Sequence, residues 1–233
     1  MNLVIALDLP SAKENLALVK ELQAYDNLWL KVGFRSYIRD GKAFLEAIKA
    51  INPTFKIFLD LKLYDIPNTM ADAASEIAAL GVDMFNIHAS AGAKAMQTVM
   101  ERIKDIPHRP LVLAVTALTS FDEASFKGIY GQDIATKAND FALMSYANGL
   151  DGVVCSAFES LAIKALTHSR FLTLSPAIRP FGEKSDDQMR VATLQSAYEN
   201  RVDFPVIGRP IYQDNNPTKK VEKILETIQT LRG

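Results

Sequence analysis

The stretch KIFLDLKLYDIPNTMADAASEIAAL, residues 56–80, joins an apolar run rich in β-forming residues to an amphipathic helical pattern. The run KIFLDLKL predicts a buried strand, and the spacing of apolar residues from 68 to 80 predicts a helix. A strand followed by a helix is one β/α unit, and repetition of this unit along a chain builds a parallel sheet. This stretch therefore favours a parallel α/β fold.

The β/α pattern recurs along the chain. Seven further apolar runs match the first: LVIALDL from Leu3, NLWLKVGF from Asn27, VDMFNIHA from Val82, PLVLAVTAL from Pro110, DGVVCSA from Asp151, RFLTLSPAI from Arg170 and FPVIGRPI from Phe204. Helical patterns accompany them at residues 11–25, 40–51, 91–104, 132–147 and 218–231. Eight strands with alternating helices predict a closed (β/α)8 barrel, a TIM barrel, as a single domain over residues 1–233. The alternative, an open doubly wound sheet, lacks support because neither GxGxxG nor GxxxxGK is present.

The composition favours a small-molecule partner. The 26 basic and 27 acidic residues nearly cancel, so no strong field would attract nucleic acid or an anionic membrane surface. Cys155 is the only cysteine, which excludes an internal disulfide and fits a reducing compartment. The first apolar run ends at Asp8 and has no basic region before it, so we expect no export or membrane segment and a cytoplasmic protein.

Four charged residues are predicted at one end of the barrel. Because side chains alternate along a strand, Asp60 and Lys62 share the face of Phe58, opposite the neighbouring leucines. The same alternation places Asp8 and Lys31 at the C-terminal mouth, where barrel enzymes hold their active sites. A salt-bridge layer that only closes the barrel is the structural alternative. Burying two lysines and two aspartates for that purpose alone is costly, which favours a functional role.

Two further segments carry residues suited to a phosphate. SPAIRP places Arg179 just after the seventh strand, and VIGRP places Gly208 and Arg209 at the end of the eighth. These two loops bind phosphate in many barrels. Glycine lets backbone N–H groups approach an anion, and arginine offers a planar pair of donors. The alternative is that both arginines are solvated or ion-paired surface residues.

The sequence motifs give no support to metal or hydrolase chemistry. His88, His108 and His168 are scattered, without the HxH or HExxH spacing of a metal site, and no GxSxG motif is present. We expect His88 to be a hydrogen-bonded structural histidine and Cys155 to be a small buried residue. No metal and no cofactor are predicted.

The segment DLKLYDIPNT, residues 60–69, closely resembles the signature of the orotidine 5'-phosphate decarboxylase family. The resemblance spans nearly the whole chain in the family's order: ALD at 6–8, LKVG at 30–33, NIHAS at 86–90, LTS at 118–120, IRP at 178–180, Gln188 and VIGRP at 206–210. DxKxxD is shared with the 3-keto-L-gulonate 6-phosphate decarboxylases, whereas DIPNT with IRP, a glutamine and GRP indicates the orotidine family. One departure is Ala177, which stands where the family usually has glycine before IRP.

The resemblance implies that the chain decarboxylates orotidine 5'-monophosphate to uridine 5'-monophosphate and CO2 without a cofactor, as the last step of de novo pyrimidine nucleotide biosynthesis. It implies that Lys62 donates the proton within a charge network of Lys31, Asp60, Lys62 and Asp65. Asp65 and Thr69 would come from the neighbouring subunit of a homodimer. The implied substrate contacts are Asp8 and Lys31 at the ribose, Thr119 or Ser120 at the pyrimidine, and Gln188, Gly208 and Arg209 at the phosphate, with Arg179 nearby.

Such a reaction needs fixed charges, because the carbanion left by CO2 has its lone pair in the ring plane, outside the π system. We expect Lys62 to be charged before the reaction, and the polar segment FGEKSDDQ, residues 181–188, to form a lid. Two alternatives stay open. One is a magnesium-dependent keto-sugar phosphate decarboxylase that uses the same acid and lysine pair, and the other is a non-catalytic phosphoribosyl-binding barrel.

Overall fold

The computed structural model describes residues 1–183 and 190–233. In this part of the chain the strands are β1 Val4–Ala6, β2 Trp29–Gly33, β3 Lys56–Leu63, β4 Met84–His88, β5 Leu111–Val115, β6 Gly152–Val154, β7 Leu172–Ser175 and β8 Phe204–Ile207. The strands are parallel and pair in sequence order, and β8 pairs with β1 to close the barrel. Each strand lies inside one of the eight predicted runs. The predicted (β/α)8 barrel is therefore confirmed.

Helices follow the strands. Their bounds are α1 Ala12–Glu21, α2 Phe34–Ile51, α3 Pro67–Ala79, α4 Ala93–Ile103, α5 Glu123–Tyr130, α6 Ile134–Ala147, α7 Ala157–Leu166, α8 Leu194–Glu199, α9 Arg209–Tyr212 and α10 Pro217–Arg232. The patterns above did not predict α5, α7, α8 or α9, and α2 begins before its predicted start. Gly41 has a φ of 59° within α2, so a first helical stretch precedes this kink. Over residues 1–183 and 190–233, no helix combines the length and the apolar character needed to cross a membrane.

Strand alternation divides the buried side chains into two groups. Phe58 and Met84 belong to an inner cluster that fills the barrel, together with Val4, Ala6, Leu113, Val115, Val154, Leu174, Phe204 and Val206. Their sequence neighbours Leu59 and Phe85 belong to the outer cluster between the strands and the helices. The inner face of β3 and β4 therefore continues toward the C-terminal mouth at residues of the same parity as Phe58 and Met84.

Three aspartates fix the N-terminal ends of the strands. Asp83, Asp151 and Asp203 directly precede β4, β6 and β8, and each carboxylate accepts a backbone N–H from the preceding strand at 2.8–2.9 Å. Each aspartate also pairs with a cation, and these are Lys56, Arg109 and Lys164. The charged groups at this end of the barrel thus hold the sheet together.

Candidate active site

A cavity of about 290 Å³, here called the mouth cavity, opens at the C-terminal ends of the strands. Its apolar lining comes from the inner cluster and includes Ala6, Phe58, Val115, Val154, Leu174 and Val206. Its polar lining includes Asp8, Lys31, Asp60, Lys62, Thr119, Ser120, Arg179, Gly208 and Arg209. The fold therefore brings these predicted site residues to the end of the barrel where barrel enzymes carry their sites.

Four side chains of alternating charge, here called the charged row, cross the mouth cavity in the order Asp8, Lys31, Asp60 and Lys62. Lys31 Nζ lies 3.1 Å from Oδ1 of Asp8 and 3.6 Å from Oδ2 of Asp60. Lys62 Nζ donates to Oδ1 of Asp60 at 2.6 Å. The side chains of Lys31 and Asp60 are only 13% and 14% exposed, so the centre of the row is shielded from water.

Burial alone would favour the neutral forms of Lys31 and Asp60, but the opposite charges next to them have the larger effect. Desolvation acts to lower the pKa of Lys31, yet Asp60 and Asp8 together raise this pKa above its ordinary value. Desolvation acts to raise the pKa of Asp60, yet Lys31 and Lys62 together lower this pKa below its ordinary value. Lys31 and Asp60 are therefore ionised at neutral pH and present fixed charges to a ligand in the cavity.

Asn86 on β4 is bonded to the charged row, a role that was not predicted although the residue lies in the NIHAS segment at 86–90. Its amide nitrogen donates to Oδ1 of Asp60 at 2.8 Å, and its amide oxygen accepts the backbone N–H of Lys62 at 2.7 Å. Lys62 has a φ of 47°, in the left-handed region that residues other than glycine seldom adopt. Alternation from Met84 places Asn86 on the inner face, so the sequence contains a signal that could have found this residue.

His88, at the end of β4, is held by Ser90. The backbone N–H of Ser90 donates to Nδ1 of His88 at 3.3 Å, and the hydroxyl oxygen of Ser90 lies 2.6 Å from the same atom. Desolvation, followed by the charge of Lys62, lowers the pKa of His88 below its ordinary value, so the imidazole is neutral at neutral pH. These contacts fit the structural role expected from the sequence.

The loops after β7 and β8 supply two guanidinium groups to the mouth cavity, those of Arg179 and Arg209. Gly208 leaves little room for a side chain, since a Cβ atom there would lie 3.3 Å from Cβ of Ala6 and from a ring carbon of Tyr212. Tyr212 itself lines the cavity and carries no motif that would have identified it. Gln188, predicted for the same part of the site, lies outside the described residues, as do residues 184–187 of the expected lid.

Ala177 adopts the left-handed backbone conformation that glycine adopts freely, with a φ of 61°, and it is buried. Its carbonyl oxygen accepts the backbone N–H of Ala192 at 3.3 Å, and the N–H of Arg179 donates to the carbonyl of Ala192 at 2.8 Å. These bonds hold the loop in place although the conformation costs an alanine about 1–2 kcal/mol. Ala177 therefore adopts the left-handed conformation even though the residue is not glycine.

Arg190 connects the start of α7 to the loop after β5. Its guanidinium forms an ion pair with Glu159 on α7 and also donates to the carbonyl oxygen of Leu118 at 3.4 Å. Oε2 of Glu159 accepts the backbone N–H of Ser156 at 2.9 Å. Desolvation raises the pKa of Glu159 above its ordinary value, and Arg190 opposes this rise. The pair thus holds the backbone next to Thr119, and no motif or periodic pattern in the sequence predicted it.

Asp65 and Thr69 are exposed, and neither is among the residues that line the mouth cavity. Oδ1 of Asp65 accepts the backbone N–H of Ile66 at 2.7 Å. The side chains of Tyr64 and Ile66 are 65% and 67% exposed. The segment after β3 is therefore a partly apolar surface of its own chain and not part of that chain's cavity.

The chain is similar to known proteins over nearly its whole length. Residues 1–224 match the family model described as the orotidine 5'-phosphate decarboxylase / HUMPS family. A protein of a Sulfurovum species, named orotidine 5'-phosphate decarboxylase, is 70% identical over 230 residues, covering 99% of this chain and 100% of that protein. A protein of the same name from a Nitratiruptor species is 64% identical over 228 residues, covering 98% of this chain and 100% of that protein.

Solved structures give the same result for the fold. The crystal structure of orotidine 5'-phosphate decarboxylase from Lactobacillus acidophilus superposes with a TM-score of 0.83 at 27% identity, covering 97% of this chain and 98% of that chain. The crystal structure of an uncharacterized conserved protein from Geobacillus kaustophilus superposes with a TM-score of 0.85 at 29% identity, covering 97% and 99%. The likeness in each case extends over nearly the whole barrel.

Proposed function

Because this chain belongs to the orotidine 5'-phosphate decarboxylase / HUMPS family, we propose that it converts orotidine 5'-monophosphate to uridine 5'-monophosphate and CO2. This reaction is the last step of de novo pyrimidine nucleotide biosynthesis. The observation that carries the proposal is the charged row, in which Lys62 contacts Asp60 at 2.6 Å within the mouth cavity. Ionised groups shielded from water are seldom kept for stability alone, which favours a ligand on which they act.

The mouth cavity has charges suited to both ends of this substrate. At about 290 Å³, it is just below the range of roughly 300–1,000 Å³ typical of small-molecule sites. Arg209 and Arg179 offer guanidinium donors to the phosphate, with Gly208 allowing close approach of the backbone. In this orientation the orotate ring and the ribose lie against the charged row, and Thr119 or Ser120 contacts the pyrimidine edge. Gln188 stays a predicted phosphate contact.

The chemistry assigned to Lys62 is charge stabilisation followed by proton transfer. The bond between the ring carbon and its carboxylate breaks, the bonding electrons stay on that carbon, and CO2 leaves. The Lys62 ammonium stabilises the negative charge that develops on the ring carbon and then gives one proton to that carbon, which completes the uracil ring. Lys62 then regains a proton from water. Lys31 helps to keep Asp60 ionised beside the reacting carboxylate.

The phosphate is remote from the bond that breaks, so its binding acts on the reaction indirectly. Interactions at Arg209 hold the nucleotide and orient the ring against Lys62, and such remote binding energy can be used to position the reacting groups. A substrate without the phosphate would lose this orientation. We therefore expect turnover, and not only affinity, to depend on the phosphate.

The proposal includes a homodimer in which Asp65 and Thr69 reach the partner's site. Exposed apolar side chains at the start of α2 support a partner near the mouth: Phe34 is 49% exposed and Ile38 is 79% exposed. The Phe34 ring lies 5.6 Å from Lys62 Nζ, so this surface adjoins the charged row. A second copy that covers it would bring acidic side chains close to Lys62. A cytoplasmic location likewise stays a prediction.

The test is incubation of the purified protein with orotidine 5'-monophosphate in excess metal chelator, with CO2 release and uridine 5'-monophosphate formation measured together. Turnover under these conditions would support the proposal. Activity only on a keto-sugar phosphate, and only with added magnesium, would assign the chain to the metal-dependent alternative. Nucleotide binding without turnover would indicate a non-catalytic barrel.

A further inference from the structure

The pairing of β3 with β4 is irregular at the charged row. The ladder is in register up to Leu59, but between Leu59 and Leu63 three residues of β3 face the single residue Asn86 of β4. A bulge of this kind interrupts the ladder and leaves backbone groups without their usual partners. The Asn86 side-chain oxygen supplies a partner for the backbone N–H of Lys62.

The two ends of the Asn86 amide act on two different members of the charged row. Asn86 is 1% exposed, so its amide groups are shielded from water. The Asp60 oxygen that accepts from the Asn86 nitrogen at 2.8 Å is the same oxygen that accepts from Lys62 Nζ at 2.6 Å. The amide oxygen accepts the Lys62 N–H at 2.7 Å, which closes a ring of three hydrogen bonds through these residues. The ring fixes the backbone of Lys62 and the carboxylate of Asp60 together.

Lys62 needs such support because its backbone is strained. A φ of 47° in a lysine costs about 1–2 kcal/mol relative to an ordinary conformation, and such conformations persist only where surrounding bonds hold them. Relaxation of Lys62 to an extended conformation would move the start of its side chain and take Nζ away from Asp60. A positional error of about 1 Å in a reacting group can cost about 100-fold in rate.

We propose that Asn86 is a positioning residue for the proton transfer by Lys62. It holds the bulged backbone of Lys62 through its oxygen and the Asp60 carboxylate through its nitrogen, so that the ammonium and carboxylate keep their places in the mouth cavity. The inference rests on the proposed function. It adds a residue that does not contact the substrate and that acts only through Asp60 and Lys62.

Replacement of Asn86 by aspartate tests the two bonds with little change of shape. A protonated carboxyl can donate to Asp60 as the amide does, whereas an ionised one repels it. Burial beside Asp60 on β3 raises the pKa of the introduced carboxyl, while Lys62 and Lys31 act to lower it, and His88 on β4 is neutral. We expect kcat of Asn86→Asp to be about 100-fold below wild type at pH 8 and to recover, relative to wild type, as the pH falls.

Asn86→Ala removes both bonds, so its kcat should be lower at every pH, with no recovery in acid. The affinity of both variants for uridine 5'-monophosphate should stay close to that of wild type, because the phosphate and ribose contacts are retained. Asn52→Ala is the matched control. The Asn52 amide is also buried, donates to the carbonyl of Gln23 at 3.0 Å and accepts the N–H of Thr54 at 2.9 Å, away from the mouth cavity.

Asn52→Ala should lose stability but keep the wild-type kcat. Wild-type kcat in both Asn86 variants would overturn the inference. So would an equal loss of kcat in Asn52→Ala, or a loss of nucleotide affinity as large as the loss of kcat. A wild-type protein that does not decarboxylate orotidine 5'-monophosphate would refute the proposed function itself, which keeps the two failures distinct.

Discussion

Replacement of Arg190 by methionine should destabilise the protein in a strongly pH-dependent way. Arg190 is the ion-pair partner of Glu159, whose side chain is only 8% exposed. Without the guanidinium, the Glu159 carboxyl stays buried and must either keep an unpaired charge or take up a proton. An unpaired buried charge costs about 3–5 kcal/mol. At any pH where protonation of Glu159 costs less than this, the carboxyl takes up a proton and the cost of protonation determines the loss of stability.

The cost of protonation follows from the pH. A glutamate carboxyl has an ordinary pKa of 4.5, and holding it protonated costs about 1.4 kcal/mol for each pH unit above that value. Relative to its value below pH 4.5, the free energy of unfolding of Arg190→Met should fall by up to about 0.7 kcal/mol at pH 5 and by up to about 3.4 kcal/mol at pH 7. The folded-state pKa lies above the unfolded one, so this stability is complete at low pH and is lost as the pH rises. Wild type should show the same trend more weakly, because Arg190 opposes the rise in the Glu159 pKa.

Urea unfolding of wild type, Arg190→Met and the double variant Arg190→Met/Glu159→Gln at several pH values between 5 and 7 measures this effect. The double variant has no carboxyl to titrate at position 159, so its difference from Arg190→Met isolates the contribution of Glu159. A difference in unfolding free energy between Arg190→Met and wild type that is the same at pH 5 and pH 7 would refute the reasoning.

Four further predictions concern the site and the fold. Lys62→Ala should abolish CO2 release from orotidine 5'-monophosphate in a protein that still binds uridine 5'-monophosphate, and near-normal turnover would exclude Lys62 as the proton donor. Arg209→Ala should lower kcat/KM by about 10- to 150-fold, as expected for the loss of charge-assisted bonds worth about 1.5–3 kcal/mol. Equal wild-type turnover of the phosphate-free nucleoside would contradict the phosphate role. Mixed Lys62→Ala and Asp65→Ala chains should recover activity as heterodimers, and verified heterodimers without activity would contradict a shared site. Asp203→Ala should lower the free energy of unfolding in urea by about 3–5 kcal/mol, because it leaves the charge of Lys164, whose side chain is 5% exposed, without its ion-pair partner. Lys164→Met should cost less, because the side chain of Asp203, which it leaves behind, is 32% exposed. Equal losses would contradict this interpretation of their burial.

The strands could be predicted from the sequence because each is a short apolar run between turn residues, and the closed barrel followed from their number. The ends of the helices were less predictable. The φ of 59° at Gly41 places a kink inside α2, and the amphipathic pattern marks only the part that follows it. α9 consists of four residues, too few for any helical period to show. The single domain over residues 1–233 stays a prediction.

Alternation predicted the charged row correctly as a set of neighbours, despite a bulge that the sequence does not reveal. Three residues of β3 face one residue of β4, so the bulge adds two residues and leaves the parity of Lys62 unchanged. A one-residue bulge would have turned Lys62 to the outer face. Asn86 obeys the same parity, but it carries no charge, and no role in the site was predicted for it. Glu159 and Arg190 are different, because a residue at the start of α7 meets one from the segment before α8, and no period relates the two positions.

The two ends of the barrel use aspartates in opposite ways. At the N-terminal end, Asp83, Asp151 and Asp203 each accept a backbone N–H of the preceding strand and pair with a cationic side chain, so their charges stabilise the sheet. At the mouth, the bonds of Asp60 are to the side chains of Lys31, Lys62 and Asn86. Stability therefore explains the first group, whereas the desolvated charges of the second group support the proposed substrate site.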